Sequence, residues 1–255
     1  MSKKAFLIDL DGVLYVGDSP VPGAAETISS LKKKGYNTRF LSNTTRKSRE
    51  TIVARLGSMG FDIGTGEVFT PAVAAIAYIK KTGISGVHLL TTGDVDKEFA
   101  KAGIFSCHDG VEAVVVGDAG DNFSYERMNT AFRLLLEGAS LIALEKDRYW
   151  MAEEGLMLSA GPFVSALEYA TGNAAVIMGK PSRRFFELAL NSMGAGASEA
   201  VMIGDDVMTD IGGSIRCGMQ GILVRTGKFR PETLQAAEIK PTAVIRSIAD
   251  LETLL

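Results

Sequence analysis

The chain is 255 residues long, which is enough for one large domain or two smaller ones. Its composition, 46% hydrophobic and 22% charged, is that of an ordinary globular protein, and a formal net charge of −3 gives no reason to expect a nucleic-acid partner. The two cysteines, Cys107 and Cys217, lie far apart without metal-type spacing, so we expect neither a disulfide framework nor a zinc site but a reducing, cytoplasmic location.

The sequence also gives no sign of a membrane partner. At the N-terminus, M-S-K-K-A-F-L-I-D places only four apolar residues before Asp9, which is too short a run for a signal peptide. No stretch approaches the ~18 continuous apolar residues that a membrane helix requires. We therefore expect no membrane association.

Strand and helix patterns alternate from the start of the chain. A buried strand is predicted over residues 5–8, where apolar residues follow one another without interruption. Further apolar runs and amphipathic segments predict, in order, a helix at 24–34, a strand at 37–41, and helices at 48–59 and 71–79. This order predicts a parallel sheet with helices on both faces.

The same order returns near the C-terminus, around an inserted set of elements. The C-terminal part has predicted strands at 174–178, 200–203 and 221–224 and helices at 182–193, 208–217 and 250–255. The insertion has predicted strands at 87–90, 113–116 and 141–144 and helices at 96–102, 125–137 and 163–170. We therefore predict a doubly wound α/β domain formed by residues 1–80 and 174–255, interrupted by a smaller α/β domain over 81–173.

Polar side chains follow four of the predicted strands. Ligands of open α/β sheets bind at the carboxyl ends of the strands, so these side chains should form one site. In chain order they are Asp9 and Asp11, then Ser42 and Asn43, then Lys180, and finally Asp205, Asp206 and Asp210.

These residue types suit the chemistry of a phosphate group. Several carboxylates in one crevice raise each other's pKa or require a cation, and carboxylate and carbonyl oxygens are the ligands that Mg²⁺ prefers. Lys180 adds a fixed positive charge, while Ser42 and Asn43 add neutral donors. Asp9 and Asp11 are two residues apart and start on one side of the strand. One carboxylate of such a pair can attack phosphorus and the other can act as general acid and base.

Plainer explanations stay open for some of these residues. Asp206 could be a solvated acid, and Asp210 an acid at a helix N-terminus, where acids are favoured. Ser42 could bond only its own turn. The segment 221–229 mimics a phosphate-binding loop through Gly227-Lys228, but it has one residue too many and lacks the Ser or Thr after the lysine, so we reject that motif.

Four motifs in this order, D-L-D-G-V-L-Y, S-N-T-T, G-K-P and I-G-D-D-V-M-T-D-I-G-G, resemble those of the haloacid dehalogenase superfamily of phosphohydrolases. The long insertion resembles the C2 cap of the NagD-like subfamily IIA. Within it, L-L-L-E-G-A-S-L-I-A and G-P-F-V-S-A-L-E-Y-A-T-G are similar to the group that includes the phospholysine phosphohistidine inorganic pyrophosphate phosphatases. The resemblance covers nearly the whole chain and implies a Rossmann-like core domain with an inserted C2-type cap domain.

The resemblance implies Mg²⁺-dependent hydrolysis of small phosphorylated metabolites, either phosphate monoesters or pyrophosphate, and a possible homodimer. It implies these roles: Asp9 as nucleophile and metal ligand, Asp11 as acid/base and metal ligand through its carbonyl, Ser42, Asn43 and Lys180 as phosphate binders, Asp205 as a direct metal ligand, and Asp206 and Asp210 as groups that orient Asp205 and metal-bound waters. The resemblance also implies that Lys146, Asp147, Arg148 and Trp150 and the loop 154–161 approach the crevice and select the substrate, although a plain surface loop explains this polar stretch equally well.

Three alternatives to the phosphatase share part of its sequence pattern: a signalling receiver module, a dehalogenase, and a phosphotransferase or phosphomutase. A signalling receiver module also has acids and a lysine at strand ends, but it needs only ~120 residues, by the usual size of a single domain, and no cap. A dehalogenase needs no Mg²⁺, which the acids from Asp205 to Asp210 speak against. A phosphotransferase or phosphomutase of the same superfamily stays open, because the motifs alone do not distinguish it.

Overall fold

The computed structural model describes residues 5–152 and 155–255. Its strands are, in chain order, β1 (Ala5–Asp9), β2 (Tyr15–Val16), β3 (Ser19–Pro20), β4 (Asn37–Leu41), β5 (Val68–Phe69), β6 (Val87–Leu90), β7 (Ala113–Val116), β8 (Ser140–Ala143), β9 (Tyr149–Ala152), β10 (Gly155–Leu158), β11 (Val176–Ile177), β12 (Ala200–Gly204), β13 (Gln220–Val224) and β14 (Ala243–Ile245).

The α-helices are, in chain order, α1 (Ala24–Lys33), α2 (Arg49–Ser58), α3 (Pro71–Thr82), α4 (Asp96–Lys101), α5 (Tyr125–Leu136), α6 (Ala160–Thr171), α7 (Arg183–Met193), α8 (Gly213–Arg216) and α9 (Pro231–Ala236). A π-helical turn precedes α8 at Val207–Gly212. Short 3₁₀ helices lie at Thr65–Glu67, Gly120–Asn122, Ala197–Glu199 and Ile248–Leu254.

The chain folds as two compact units. The first contains the described residues of Met1–Ser42 together with Arg49–Phe69 and Lys180–Leu255. The second contains Asn43–Ser48 and Thr70–Gly179. The chain therefore changes unit four times: after Ser42, after Ser48, after Phe69 and directly before Lys180.

The first unit is built on a parallel sheet. Among the described residues its strand order is β14-β13-β12-β1-β4-β5. β1 is buried along its whole length, because it is a central strand of a sheet that is covered on both faces. From β1 the chain builds outward through β4 and β5 on one side and through β12, β13 and β14 on the other. The strand order thus reverses beside β1, and such a reversal places a ligand crevice at the carboxyl end of that strand.

A large apolar core supports this sheet, and a smaller cluster that includes Leu223 of β13 packs separately. Phe6 and Ile8 of β1 and Phe40 of β4 are fully buried and pack with apolar residues of α1 such as Leu31. The ring of Phe6 meets that of Tyr36 edge to face, with 5.2 Å between the ring centroids. Close packing around β1 fixes the position of its last residue, Asp9.

The second unit has its own parallel sheet and core. Among the described residues the strand order is β11-β8-β7-β6, and β7 is buried along its whole length. α5 and α6 pack on this sheet, and the rings of Phe123 and Phe163 stack with centroids 3.7 Å apart. β9 and β10 form an antiparallel hairpin with exposed apolar side chains, joined by residues 153–154, which lie outside the described part of the chain.

The structure confirms the α/β class and corrects three local expectations. β11 pairs with β8, so the prediction that residues 174–178 continue the first sheet was wrong; an apolar run predicts a buried strand but not the sheet that it joins. The helix predicted at 208–217 begins as a π-helical turn. The β9–β10 hairpin was not predicted, because its exposed strands do not alternate between apolar and polar residues.

None of the helices in the described ranges combines the length and the apolar character needed to cross a bilayer.

Candidate active site

The first strand delivers two carboxylates to different environments. Asp9 is the last residue of β1 and is buried, whereas Asp11 is exposed. Between them the chain leaves the sheet: the Leu14 amide donates to the Leu10 carbonyl at 2.9 Å. Gly12 then adopts a φ of +85°, which lets the chain turn directly after the pair. Asp9 and Asp11 are therefore suited to different tasks despite their spacing in the sequence.

A buried lysine joins two of the predicted acids. The Nζ of Lys180 lies 2.6 Å from Oδ1 of Asp9 and 2.7 Å from Oδ1 of Asp210. All three side chains are buried. Burial alone would lower the pKa of the Lys180 ammonium, but the carboxylates of Asp210 and Asp9 more than offset this and raise it. The ammonium is therefore charged at neutral pH.

Three buried carboxylates meet beside this lysine. Oxygens of Asp9, Asp205 and Asp210 lie within 4.8 Å of one another. Burial, together with repulsion from Asp9 and Asp210, raises the pKa of Asp205 to about 8. Burial, which Lys180 opposes and Asp9 reinforces, raises the pKa of Asp210 to about 6.

The electrostatics of this cluster fit a bound cation. Three buried carboxylates lie beside one buried ammonium, and burial together with repulsion from neighbouring acids raises the pKa of Asp205 and of Asp210. Carboxylate oxygens are the ligands of hard divalent cations, so Asp9 and Asp205 can hold a metal ion, with Asp210 behind them on Lys180.

Asp205 is held in a cradle built by two glycines. A Cβ on Gly12 would lie 1.9 Å from Oδ2 of Asp205, and a Cβ on Gly227 would lie 2.1 Å from the same oxygen. The backbone amide of Lys228 donates to this oxygen at 2.6 Å. The Thr226 hydroxyl donates to the Gly12 carbonyl and ties the two glycine segments together. The carboxylate of Asp205 thus has one fixed orientation.

Asp206 acts on the site through the backbone. Its Oδ1 accepts from the amides of Met208 at 2.8 Å and Thr209 at 3.0 Å, so it caps the π-helical turn that carries Asp210. Its own amide donates to Oδ2 of Asp210 at 3.2 Å. Gly204 leaves room for Asp210, since a Cβ there would lie 2.3 Å from the Asp210 Cβ. Asp206 therefore positions Asp210.

The two predicted phosphate binders after β4 belong to different units. Ser42 stays with the first unit, where its amide donates to the Phe69 carbonyl at 3.2 Å. Asn43 belongs to the second unit, where its Nδ2 lies 3.5 Å from Oδ2 of Asp147. Their roles toward a phosphate stay predictions, whereas the structure brings Asp9, Lys180, Asp205 and Asp210 together.

The predicted specificity residues of the second unit are partly anchored. The guanidinium of Arg46 lies 5.3 Å from the ring centroid of Trp150 and pairs with Oδ1 of Asp118 at 2.9 Å. The Glu145 carboxylate accepts from the Asp147 amide and from the Ala160 amide. Lys146 pairs with Glu168. Glu154, at the start of the other predicted segment, lies outside the described residues.

Sequence reasoning missed the part played by Gly227 and Lys228. The segment that contains them was correctly rejected as a phosphate-binding loop, but its actual contact is with a carboxylate. The segment follows β13, which pairs in parallel with β12. The carboxyl end of β13 therefore lies beside the carboxyl end of β12, the strand that leads to Asp205. Extending the strand-end argument to β13 would have found it.

Two family models match the chain. One, described as haloacid dehalogenase-like hydrolase, matches residues 6–105, and one described as HAD-hydrolase-like matches residues 177–251. The phospholysine phosphohistidine inorganic pyrophosphate phosphatase of Homo sapiens is 42% identical over 258 residues, which cover 99% of this chain and 94% of that protein. The haloacid dehalogenase-like hydrolase domain-containing protein 2 of Homo sapiens is 44% identical over 227 residues, covering 89% and 86%.

Solved structures are similar over the same span. The p-nitrophenyl phosphatase from Archaeoglobus fulgidus has a TM-score of 0.92 and 30% identity and covers 99% of both chains. The 4-nitrophenylphosphatase from Thermotoga maritima has a TM-score of 0.91 and 30% identity and covers 98% of this chain and 97% of its own. NagD from E. coli K-12 has a TM-score of 0.90 and 26% identity and covers 98% of each chain.

The Asp205 cradle predicts an unequal effect of two glycine substitutions. Gly17 and Gly227 have similar φ angles, +56° and +60°, but no atom lies within 4 Å of a Cβ on Gly17. Gly17→Ala should cost the ~1–2 kcal/mol of a left-handed alanine. Gly227→Ala should cost at least ~1.5 kcal/mol more, because its Cβ displaces Asp205 from the Lys228 amide. Urea unfolding of both variants measures the difference, and equal losses would refute the cradle.

Proposed function

The chain belongs to the haloacid dehalogenase-like hydrolase family and hydrolyses phosphoric esters, and we propose that it does so with bound Mg²⁺ through an aspartyl phosphate on Asp9. The resemblance predicted from its motifs is thereby confirmed at the level of the family. The observation that carries the proposal is the buried Lys180 ammonium between Asp9 and Asp210, beside the glycine-cradled Asp205.

Asp9 is the proposed nucleophile. Its carboxylate is ion-paired with Lys180 and stands at the carboxyl end of the central strand, where α/β sheets bind ligands. One oxygen of Asp9 forms a bond to phosphorus while the bond from phosphorus to the leaving oxygen breaks. Water then attacks the same phosphorus, the bond to Asp9 breaks, and inorganic phosphate leaves with Asp9 restored as a carboxylate.

Asp11 is the proposed general acid and base. It is exposed where Asp9 is buried, so it can exchange protons with the leaving group and with water. In the first step it donates a proton to the leaving oxygen, and in the second it accepts the proton of the attacking water. Gly12 makes this division possible by turning the chain immediately after the pair.

The remaining site residues bind and orient. Asp9, Asp205 and the carbonyl of Asp11 would hold Mg²⁺, which when bound offsets the negative charge that opposes attack by a carboxylate. Lys180, Ser42 and Asn43 would bind phosphoryl oxygens. Asp210 keeps Lys180 in place, and Asp206 keeps Asp210 in place through the capped turn. Both would also orient Asp205 and metal-bound waters.

The substrate is proposed to be a small phosphorylated metabolite. The names of the relatives point to aryl phosphates and inorganic pyrophosphate as the first compounds to test. In this proposal the first unit is the catalytic domain and the second is the cap domain that selects the substrate. A phosphotransferase or phosphomutase would use the same residues, and release of inorganic phosphate over many turnovers distinguishes the hydrolase from it.

Location and assembly follow as further proposals. Both cysteines are free, in keeping with a reducing, cytoplasmic compartment. The β9–β10 hairpin exposes Met151, Leu156 and Leu158, and a second copy of the chain could cover these side chains in a homodimer. Light scattering measures the mass of the purified protein and of the variant Met151→Glu. We expect a dimer for the wild type and a monomer for the variant, and a monomeric wild type contradicts the proposed dimer.

The proposed nucleophile predicts the effect of a nearly isosteric change. Asp9→Asn removes the attacking carboxylate but keeps its size, so steady-state phosphate release should fall at least ~1000-fold. Asp62→Asn changes the same charge at an exposed position of the first unit and should leave the rate unchanged. Turnover of purified Asp9→Asn near the wild-type rate would exclude the mechanism.

The proposed metal site predicts a stability effect that does not depend on activity. At a hundredfold excess over its Kd, Mg²⁺ should stabilise the wild type by ~2.7 kcal/mol, and EDTA should abolish both this gain and phosphate release. Asp205→Asn removes one of three mutually repelling carboxylates, so without metal it should be at least as stable as the wild type, but it should lose most of the gain from Mg²⁺. Thermal unfolding with and without Mg²⁺ tests both expectations. A wild-type response in Asp205→Asn would remove Asp205 from the site.

A further inference from the structure

The loop that follows β13 is fixed at several points. The Arg225 amide donates to the Ile245 carbonyl at 3.0 Å, and the Phe229 amide donates to the Thr226 carbonyl at 3.3 Å. Nη1 of Arg230 folds back and donates to the carbonyls of Gly227 at 3.3 Å and Phe229 at 2.7 Å. With the contacts to Asp205 and Gly12, these hydrogen bonds fix the loop beside Asp205.

Among the described residues, the side chain of Lys228 takes no part in the hydrogen bonds that hold this loop. The amide of Lys228 binds Asp205, but its side chain is exposed, and within the described ranges its ammonium forms no ion pair. The backbone of Lys228 thus places its side chain beside Asp205, and in the described part of the chain no carboxylate pairs with the ammonium.

A small cleft lies beside this lysine. Its volume is ≈170 Å³, and its lining includes Asp205, Asp206, Met208, Lys228 and Arg230. This is less than the ~300–1,000 Å³ of a pocket that encloses a whole small molecule, so the cleft suits one polyatomic group and not a complete metabolite. The cations Lys228 and Arg230 line it on the side of the loop, and Arg230 is already bonded to the loop carbonyls.

An anionic leaving group needs a cation here. The three buried carboxylates repel any second negative charge on the substrate, and Lys180 is already engaged by two of them. Lysine binds phosphate and carboxylate groups as a compact point charge on a flexible stem, so it does not require one fixed geometry. Lys228 is the nearby ammonium that remains available for such a group.

We propose that Lys228 binds the second anionic group of the substrate, so that this enzyme prefers compounds whose leaving group is itself an anion, such as a diphosphate or a phosphorylated carboxylic acid. The inference rests on the proposed function, in which the transferred phosphoryl group lies on Asp9. It adds a residue that selects the leaving group by charge.

Kinetics on three substrates test this role. We would compare kcat/KM for pyrophosphate, for phosphoglycolate and for p-nitrophenyl phosphate in the wild type, Lys228→Gln and Lys228→Arg. One charged contact is worth ~1.5 kcal/mol or more, so in Lys228→Gln the ratio of an anionic-leaving substrate to the aryl ester should fall at least ~10-fold, mainly through KM. Lys228→Arg should restore most of the ratio. If the kcat/KM ratio falls for pyrophosphate alone, Lys228 binds a phosphate as the second anionic group. If the ratio falls for phosphoglycolate alone, Lys228 binds a carboxylate.

Lys33→Gln is the matched control. Lys33 is exposed on α1 of the same unit, and the substitution changes the net charge equally without touching the loop. Its substrate ratio should equal that of the wild type. If Lys228 merely compensates the site carboxylates, Lys228→Gln will change all three substrates by one factor, and the inference is wrong. The inference also fails if the wild type turns over only the aryl ester.

Binding separates this inference from the proposed function. Calorimetric titration of Asp9→Asn and of Asp9→Asn/Lys228→Gln with pyrophosphate and with orthophosphate, both in Mg²⁺, needs no turnover. Loss of Lys228 should weaken pyrophosphate at least ~10-fold more than orthophosphate. Equal weakening of both anions contradicts the role of Lys228 even if Asp9 is the nucleophile. Full activity of Asp9→Asn contradicts the mechanism even if Lys228 selects for charge.

Discussion

The first unit depends on the two ion pairs that the Lys180 ammonium forms with Asp9 and Asp210. The ammonium is buried, and a buried charge is tolerated only when it is paired. Its partners are the last residue of β1 and a residue of the π-helical turn, so one ammonium joins three segments that are far apart in the sequence. Removing one partner of such a buried pair typically costs ~3–5 kcal/mol, which makes the ion pairs a strong constraint on how these segments meet.

The same arrangement leaves an excess of negative charge, and the surrounding backbone is shaped to hold it. Asp205 is enclosed by Gly12 and Gly227, whose missing side chains make room for its carboxylate. The Asp206 carboxylate accepts hydrogen bonds from two backbone amides and so fixes the turn that carries Asp210. Local stability is lowered by the repelling carboxylates and recovered through these backbone contacts. In the proposed function, this arrangement is a preorganised site for a cation and a phosphoryl group.

Much of this could be predicted from the sequence, because strand ends and apolar runs are local features. β4, β6 and β7 occur at the predicted residues, and the strand-end argument selected Asp9, Lys180, Asp205 and Asp210, which the structure brings together. What failed depends on tertiary context. A two-residue strand such as β11 carries no signal for the sheet it joins, and a π-helical turn of six residues is too short for its side-chain spacing to be distinguished from that of an α-helix. The glycines at 12 and 227 appear in the sequence as turn residues, and only the fold shows that they face one carboxylate.

The fate of the Gly227-Lys228 segment shows why a motif is less informative than its position. The segment does not match the sequence pattern of a phosphate-binding loop, and its observed contact is with the Asp205 carboxylate. As the segment that follows β13, it had to lie at the edge where Asp205 stands, whatever its residues. Its backbone then holds the carboxylate, and its side chain lines the cleft beside that carboxylate. In the proposed function, selection by charge would therefore lie in the first unit, and selection by shape would be left to the second unit.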